Sequence, residues 1–320
     1  MNRTVELALK VMRRKVYPFF FRNKKKPEYI NDRKVSTKLL RETLEGDQPA
    51  MIARYGGFEL TCVVNYLGII NPNHSIFRYI KGEIPEWWWN MDTIHRMETN
   101  AGFFPANTET IEQYAKLMLE DSKCLDILGS GIFEFEPFVA DYVKESKKIL
   151  RRHLEPDFHA TDVSGEWTQA LKGKNVLVIH PFADTIEKQY KKRTKLFPAE
   201  DLMPEFNLLT IKAVQSLGGN CEFSSWFEAL KHMEDEMDAL DYDIAIIGCG
   251  AYGFNLAAHA KRTGHKGIHI GGPVQLLFGI KGKRWAEQEF YSSFMNEYWV
   301  SPSEEEKPKA ASQVEGGCYW

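Results

Sequence analysis

Short segments that are almost purely apolar, each followed by a stretch with helical spacing, recur along the chain. They cover residues 51–55, 125–128, 175–179, 243–247 and 267–270. Segments of this kind, which do not alternate polar with apolar residues, are typical of strands buried on both faces of a parallel sheet. Strands that alternate with helices predict right-handed crossover connections. We therefore predict an α/β protein with a Rossmann-like, mainly parallel sheet and helices on both faces.

The two ends of the chain depart from this pattern. We predict a helical N-terminal extension over 1–48, one α/β catalytic domain over 49–300 and a C-terminal tail over 301–320. The N-terminal helix is expected to run to about Glu45, and residues 72–105 are expected to be irregular. A short strand is predicted over 221–223. Helices are predicted over 108–120, 137–154, 184–195, 208–217, 226–240 and 252–263. The spacing of Leu60, Val63, Val64 and Leu67 predicts a further helix after Gly56-Gly57.

Charge and cysteine usage exclude several classes of protein. A net charge of −3 argues against broad nucleic-acid binding, which requires a strongly basic face. The five cysteines form no CxxC pair, which favours reduced thiols over a zinc site or a disulfide framework. Neither a long apolar run nor a signal peptide is recognisable, so we expect a cytoplasmic protein.

The N-terminal segment 10–26 is both basic and aromatic. It combines eight Lys or Arg side chains with Tyr17, Phe19, Phe20 and Phe21. Such a segment can dock peripherally on anionic lipid at the inner face of a membrane. The alternative is a helix that packs its aromatic side chains on the body of the protein while its charges stay solvated.

A GxGxxG pattern follows the apolar segment 243–247. It consists of Gly248, Gly250 and Gly253, with Tyr252 before the last glycine. In this position glycines allow close approach of a phosphate to a helix N-terminus. A dinucleotide is disfavoured because no acidic residue for the ribose stands about 20 positions further on. The pattern thus favours a mononucleotide or sugar-nucleotide phosphate, with tight helix–strand packing as the purely structural alternative.

A second glycine turn, Arg54-Tyr-Gly56-Gly57-Phe-Glu59, begins with the last two residues of the apolar segment 51–55. Arg54 is suited to grip a phosphate with two hydrogen bonds. Glu59 is a candidate general base, a metal ligand or a group that orients a sugar hydroxyl. Its structural alternative is charge compensation at the N-terminus of the following helix.

Further candidates follow other apolar segments. His180 is a candidate acid or base, although a lone histidine of this kind is as often a satisfied structural residue. Because parallel strands end at one edge of a sheet, we expect the remaining candidates to gather there as nucleotide-binding groups. These are Gly129, Ser130, Gly271, Gly272, Gln275 and Lys281.

The turn at residues 51–60 resembles the R-[FY]-G-x-x-E element of glycosyltransferases with the GT-D fold. Residues 246–253 and the segment His269-Ile-Gly-Gly also resemble the nucleotide side of that fold, and residues 248–320 resemble a bacterial group linked to surface-polysaccharide synthesis. The resemblance covers about 50–320.

The resemblance implies transfer of a hexose-like sugar from a nucleotide-sugar donor to a glycan or to a lipid-linked or protein-linked acceptor. In the family the turn carries a D-x-E pair associated with a metal and the diphosphate, which implies Mn²⁺ or Mg²⁺. Arg54, Gly56 and Glu59 match that turn, but Gly57 stands at the aspartate position. Arg54, Lys281 or helix N-termini are then the alternative for neutralising the diphosphate.

Two other functions remain open from the sequence. One is a non-catalytic nucleotide-sugar-binding or assembly protein of polysaccharide synthesis, which the missing aspartate favours. The other is an NAD(P)-dependent oxidoreductase that uses the GxGxxG pattern, which the missing ribose acid disfavours.

Overall fold

A single seven-stranded sheet, in which every strand is parallel to its neighbours, organises the protein. The computed structural model describes residues 2–20, 28–216 and 222–307. The strands lie in the order β3-β2-β1-β7-β6-β4-β5. They are β1 (Ala50–Arg54), β2 (Ile127–Ser130), β3 (Lys147–Leu150), β4 (Asn175–His180), β5 (Asn207–Lys212), β6 (Ile244–Ile247) and β7 (Lys266–His269).

The helices of the described residues lie before, between and after these strands. They are α1 (Arg3–Val11), α2 (Tyr17–Phe20), α3 (Arg33–Glu45), α4 (Gly57–Ile70), α5 (Ile76–Ile80), α6 (Met91–Ala101), α7 (Thr108–Ser122), α8 (Ala183–Tyr190), α9 (Trp226–Asp238), α10 (Gly253–Arg262), α11 (Val274–Leu277), α12 (Lys283–Ala286) and α13 (Glu289–Ser292). A π-helical segment, Met12–Val16, joins α1 to α2, so that residues 3–20 form one continuous N-terminal helix. The side chain of Asn107 caps α7, as its position before Thr108 predicts.

Alternate residues of each strand face opposite sides of the sheet, and apolar layers cover both sides. Met51 and Ala53 pack in one layer with side chains of α4, α7, α9 and α10. Ile52 packs in the other layer with side chains of α3, α8 and α11. A strand buried in this way carries apolar residues at successive positions. The predicted α/β fold with helices on both faces of a parallel sheet is therefore confirmed, as is the helical N-terminal extension.

The chain leaves the neighbouring strands β1 and β7 toward opposite faces of the sheet. Helix α4 follows β1 into the first layer, where Leu60 and Val63 are buried. Helix α11 follows β7 into the second layer, where Val274 and Leu277 are buried. In open parallel sheets such a divergence leaves a crevice beyond the carboxyl ends of the two strands, where ligands bind. We call this place the β1–β7 crevice.

Two predicted helices are wrong. The described residues 208–216 do not form the helix predicted over 208–217, because Asn207–Lys212 is the edge strand β5. The predicted helix 137–154 is instead a 3₁₀ helix (Glu136–Tyr142), the edge strand β3 and a second 3₁₀ helix (Arg151–Leu154). Edge strands are buried less than central ones, so their mixed polar and apolar residues imitate the spacing of an amphipathic helix.

Three other predictions of local structure need correction. Residues 72–105 contain helices α5 and α6, so this stretch is not irregular throughout. The N-terminal helix does not run to Glu45, because Ile30 forms a parallel bridge with Ile149 of β3 before α3 begins. The predicted strand at 221–223 is not formed in its described part, because residues 222–223 lie in a bend. Other predicted features lie wholly or partly outside the described residues: Phe21, the cations at 22–26 and most of the C-terminal tail.

None of the helices in the described part of the chain is long and apolar enough to cross a membrane.

Candidate functional site

Arg54, the last residue of β1, lies across the turn that follows β7. Its Nε lies 3.4 Å from the carbonyl oxygen of Ile270, and its Nη1 lies 3.3 Å from that of Tyr55. Gly271 has a left-handed φ of +72°, and a Cβ added there would lie 1.7 Å from Nη2 of Arg54. A glycine is therefore required at 271 both by the backbone and by the guanidinium beside it.

Arg151 enters the same region from β3. It opens the 3₁₀ helix Arg151–Leu154, which packs closely on the end of β2: a Cβ on Gly129 would lie 2.5 Å from Cδ1 of Leu154. The guanidinium lies over the ring of Phe133, with its carbon 5.4 Å from the ring centroid. Phe133 in turn lies 3.2 Å from where a Cβ on Gly57 would stand. Arg151 thus lies above β2, near the beginning of α4.

Positively charged side chains outnumber negatively charged ones around Arg151. Burial, together with repulsion by the guanidiniums of Arg54 and Arg284, lowers the pKa of Arg151 to about 9, against attraction by Glu59 and Glu155. The guanidinium remains charged at neutral pH, so its lowered pKa reflects an environment that disfavours one more cation. A bound anion would relieve this repulsion. The crevice is therefore suited to a phosphate-bearing ligand.

Glu59 lies in the first turn of α4 and folds back over the residue that precedes the helix. A Cβ on Gly56 would lie 2.0 Å from Oε2 of Glu59. Gly56 has no side chain with which to cap α4. The carboxylate of Glu59 therefore compensates the positive end of its own helix. The same carboxylate is close enough to stabilise the charge of Arg151, so it belongs to the crevice as well.

His269 ends β7, between β1 and β6. Its Nδ1 lies 3.2 Å from the carbonyl oxygen of Ile247, so that nitrogen is the donor and Nε2 carries the lone pair. Burial and the charges of Arg54 and Arg151 lower its pKa well below the usual value of 6.5. His269 is therefore neutral at physiological pH and presents an acceptor near two cations.

The glycines of the GxGxxG pattern make room for other parts of the protein. A Cβ on Gly253 would lie 2.2 Å from Nδ1 of His269, and one on Gly248 would lie 2.7 Å from the carbonyl oxygen of Gly271. Gly250 is left-handed at φ +58° and lies against the end of α6. Tyr252 is buried, hydrogen-bonds through its hydroxyl to Ser216 and stacks on an indole ring of α9. Packing accounts for most of this pattern.

His180 is not brought together with Glu59. Its strand, β4, is three positions from β1, which corresponds to about 14 Å at the usual spacing of strands. The imidazole is buried, and its Nδ1 accepts the backbone N–H of Phe182 at 3.0 Å. Burial lowers its pKa to about 3. The geometry gives His180 a structural role in its own turn.

The remaining candidates have local partners. The hydroxyl of Ser130 donates to the buried carboxylate of Glu136. Gln275 is buried and donates from Nε2 to the carbonyl oxygen of Ile280 at 3.3 Å. Lys281 is half-buried and follows Ile280, and Gly272 accepts the backbone N–H of Gln275. Of the predicted residues, the structure gathers Arg54, Gly56, Gly57, Glu59, Gly129 and Gly271 at the crevice.

The residues of the crevice do not fit a divalent metal ion. Glu59 is a single carboxylate, and the guanidiniums of Arg54 and Arg151 act on the same region. Mg²⁺ and Mn²⁺ need several oxygen ligands and are repelled by nearby cations. No group of three or more His, Cys, Asp or Glu in the described residues is arranged to hold a metal.

Two side chains of this region, Arg151 and His269, were not predicted from the sequence. Arg151 was not predicted because the sequence around β3 has the spacing of an amphipathic helix. His269 stands at the end of a predicted strand, and its position was the signal that could have identified it. The sequence groups Arg284 with Lys281 and Lys283 beside a glycine turn, a cluster that would suit a diphosphate or form a solvated loop; the structure places Arg284 in α12, where its charge acts on Arg151 and Tyr291.

The chain matches no protein-family model, and neither the curated proteins nor the solved structures contain a significant match to it.

Proposed function

We propose that the protein is a glycosyltransferase whose nucleotide-sugar donor places its diphosphate in the β1–β7 crevice. One observation carries this proposal: the guanidiniums of Arg54 and Arg151 lie close enough to repel each other, in a region where three arginines face the carboxylates of Glu59 and Glu155. Two planar guanidiniums match the oxygens of a diphosphate better than a lone lysine does. The crevice also lies where ligands bind in open parallel sheets.

The charges of Arg54, Arg151 and Glu59 also suit the chemistry of glycosyl transfer. Transfer breaks the bond between the anomeric carbon and the diphosphate oxygen, forms a bond from that carbon to an acceptor hydroxyl, and releases the hydroxyl proton. Arg54 and Arg151 would stabilise the departing nucleoside diphosphate, whose negative charge grows as the bond breaks. Glu59 is the group placed to take the proton. The neutral Nε2 of His269 would accept a hydrogen bond from a donor hydroxyl.

In this arrangement arginine side chains, and not a metal ion, would neutralise the diphosphate. The resemblance to the GT-D turn implies a D-x-E pair, but Gly57 supplies no carboxylate and lies against Phe133. We therefore propose metal-independent binding of the diphosphate.

A non-catalytic nucleotide-sugar-binding protein is the second candidate. It is favoured by the position of the Glu59 carboxylate, which lies over the N-terminus of α4 and already has a structural role there. Such a protein would bind the same ligands without turnover. An NAD(P)-dependent oxidoreductase is less favoured, since packing accounts for the GxGxxG glycines.

Calorimetric titration with UDP- and GDP-sugars, with and without Mn²⁺, tests the proposal. We expect binding in the micromolar to millimolar range that does not require Mn²⁺. Arg151→Gln is expected to weaken it by about tenfold to a hundredfold through loss of a charge-assisted hydrogen bond. Arg152→Gln is the matched control, because Arg152 is exposed and lies over Phe290.

Each outcome of the titration has a defined meaning. Absence of binding by folded protein would overturn the proposal, and so would equal losses in the two arginine variants. Binding without release of nucleoside diphosphate in the presence of sugar acceptors would favour the second candidate.

A further inference from the structure

The continuous helix over residues 3–20 carries an unusual number of exposed apolar side chains. They belong to Val5, Leu7, Val11, Met12 and Val16, each between 43% and 57% exposed. An apolar side chain left in water on an ordinary surface helix is common, but five on one helix of 18 residues are not.

Specific contacts fix which side of this helix faces the protein. Leu9 is buried against a small apolar cluster that includes Tyr79. Arg13 donates to the carbonyl oxygen of Ile84 at 3.0 Å and lies 4.7 Å from the ring centroid of Tyr79. Nζ of Lys10 lies 3.6 Å from the carboxylate of Glu86. These contacts use one side of the helix and leave the exposed apolar residues outside it.

Helix α5, which packs beside this helix, adds to the exposed apolar surface. Ile76 and Phe77 are 55% and 65% exposed. Twelve large apolar side chains are exposed in the described part of the chain, and seven of them lie on these two elements. We call this set the N-terminal apolar face: Val5, Leu7, Val11, Met12, Val16, Ile76 and Phe77.

The charge around this face is opposite to that of the rest of the protein. Residues 1–27 contain nine Lys or Arg and one acidic residue, Glu6. Residues 28–320 contain 32 Lys or Arg against 43 Asp or Glu. Arg14 and Lys15, which stand within the apolar series, are exposed. Basic residues are therefore concentrated in the first 27 positions of an otherwise acidic sequence, and the exposed apolar side chains of residues 3–20 belong to the same stretch.

We propose that the N-terminal apolar face docks on an anionic lipid bilayer, with the helix over residues 3–20 lying in the plane of the interface. Apolar side chains flanked by Lys and Arg are the pattern of interfacial helices, and anionic headgroups attract the cations. The helix is not apolar enough to cross the bilayer. A second copy of the chain is a poorer occupant, because it would place two strongly basic segments against each other.

Co-sedimentation of the full chain with lipid vesicles tests this proposal. We compare vesicles of phosphatidylcholine alone with vesicles containing 30% phosphatidylglycerol, at low and high salt. The variants are V11D/M12D, which places charges in the apolar face, and R14E/K15E, which reverses two exposed cations. V35D is the matched control, since Val35 is a 50% exposed apolar residue of α3, outside the face. Circular dichroism and thermal melting confirm that each variant is folded.

We expect the wild-type protein and V35D to bind the anionic vesicles, and to bind them less at high salt. Both double variants are expected to lose at least about tenfold in binding. The proposal is overturned if the folded wild-type protein does not bind anionic vesicles, or if both double variants bind as well as V35D. It is also overturned if V11D/M12D converts a dimer to a monomer in light scattering, because the face would then join two copies.

Discussion

The glycine turns after β1 and after β6 look alike in sequence and differ in what their glycines accommodate. After β6, Gly248 and Gly253 make room for the backbone of Gly271 and the ring of His269. After β1, Gly56 makes room for the carboxylate of Glu59, and Gly271 of the neighbouring turn makes room for the guanidinium of Arg54. A glycine pattern thus shows that something lies close to the backbone, and only the structure shows whether that is a packed core group or a charged side chain of the candidate site.

This difference can be tested by replacing Gly253 and Gly271 with alanine, which adds one methyl group next to His269 and one next to Arg54.

Gly253→Ala is expected to destabilise the protein by roughly 2–4 kcal/mol. The new Cβ would lie 2.2 Å from Nδ1 of His269, a buried ring that cannot move without disturbing the core. Urea denaturation measures the loss. Gly165→Ala is the control, because nothing lies within 4 Å of the Cβ added there. Equal stability of the two variants would contradict the packing role of the GxGxxG pattern.

Acidification should destabilise the protein through its buried histidines. Burial lowers the pKa of His180 to about 3, so below pH 6.5 the unfolded chain binds the proton before the folded chain does. Stability is therefore lost as pH falls from 6.5, by at most about 1.4 kcal/mol per pH unit for this group. His180→Asn keeps an acceptor for the N–H of Phe182 and removes the titration. Urea denaturation between pH 7 and pH 5 should show a shallower loss in this variant, and an unchanged slope would contradict the prediction.

Gly271→Ala is expected to cost about 1–2 kcal/mol, less than Gly253→Ala, although its added Cβ lies closer to another atom. The neighbouring atom is the end of the Arg54 side chain, which can move, so the strain of the left-handed backbone dominates. Displacing Arg54 should weaken nucleotide binding by about tenfold or more, measured by calorimetry. Gly253→Ala, assayed where it is folded, should weaken it less. Undisturbed binding by Gly271→Ala would remove Arg54 from the site.

Glu59→Gln should change stability least, by about 0.3–1 kcal/mol, because it removes only a charge at the start of α4. If Glu59 is the general base, release of nucleoside diphosphate in the presence of acceptor should fall about a hundredfold or more while the thermal midpoint changes little. Glu42→Gln, on the exposed surface of α3, is the control and should leave turnover unchanged. Full activity in Glu59→Gln would leave this residue with its helix-capping role alone.

The sequence predicts the sheet well and the crevice only in part. Central strands such as β4 and β6 are buried on both faces, so their continuous apolar residues identify them. The edge strands β3 and β5 are half-buried, and their sequences predict helices instead. Because the segment around β3 is predicted as a helix, Arg151 is not recognised as a residue that follows a strand. Arg54 and Glu59 were found because a strand, a turn and a helix are contiguous in sequence. Arg151 reaches the crevice through tertiary packing, which no local pattern reports.

The bridge between Ile30 and β3 has a consequence for how the sheet ends. Ile30 donates its N–H to Lys148 and accepts the N–H of Leu150, so it occupies hydrogen-bonding groups on the open side of an edge strand. Unprotected edges of this kind recruit strands from other molecules. The linker ahead of α3 therefore does more than connect the N-terminal helix to the body. It protects the sheet against edge-to-edge aggregation, and a shortened chain that lacked residues 28–32 would expose an unpaired strand edge.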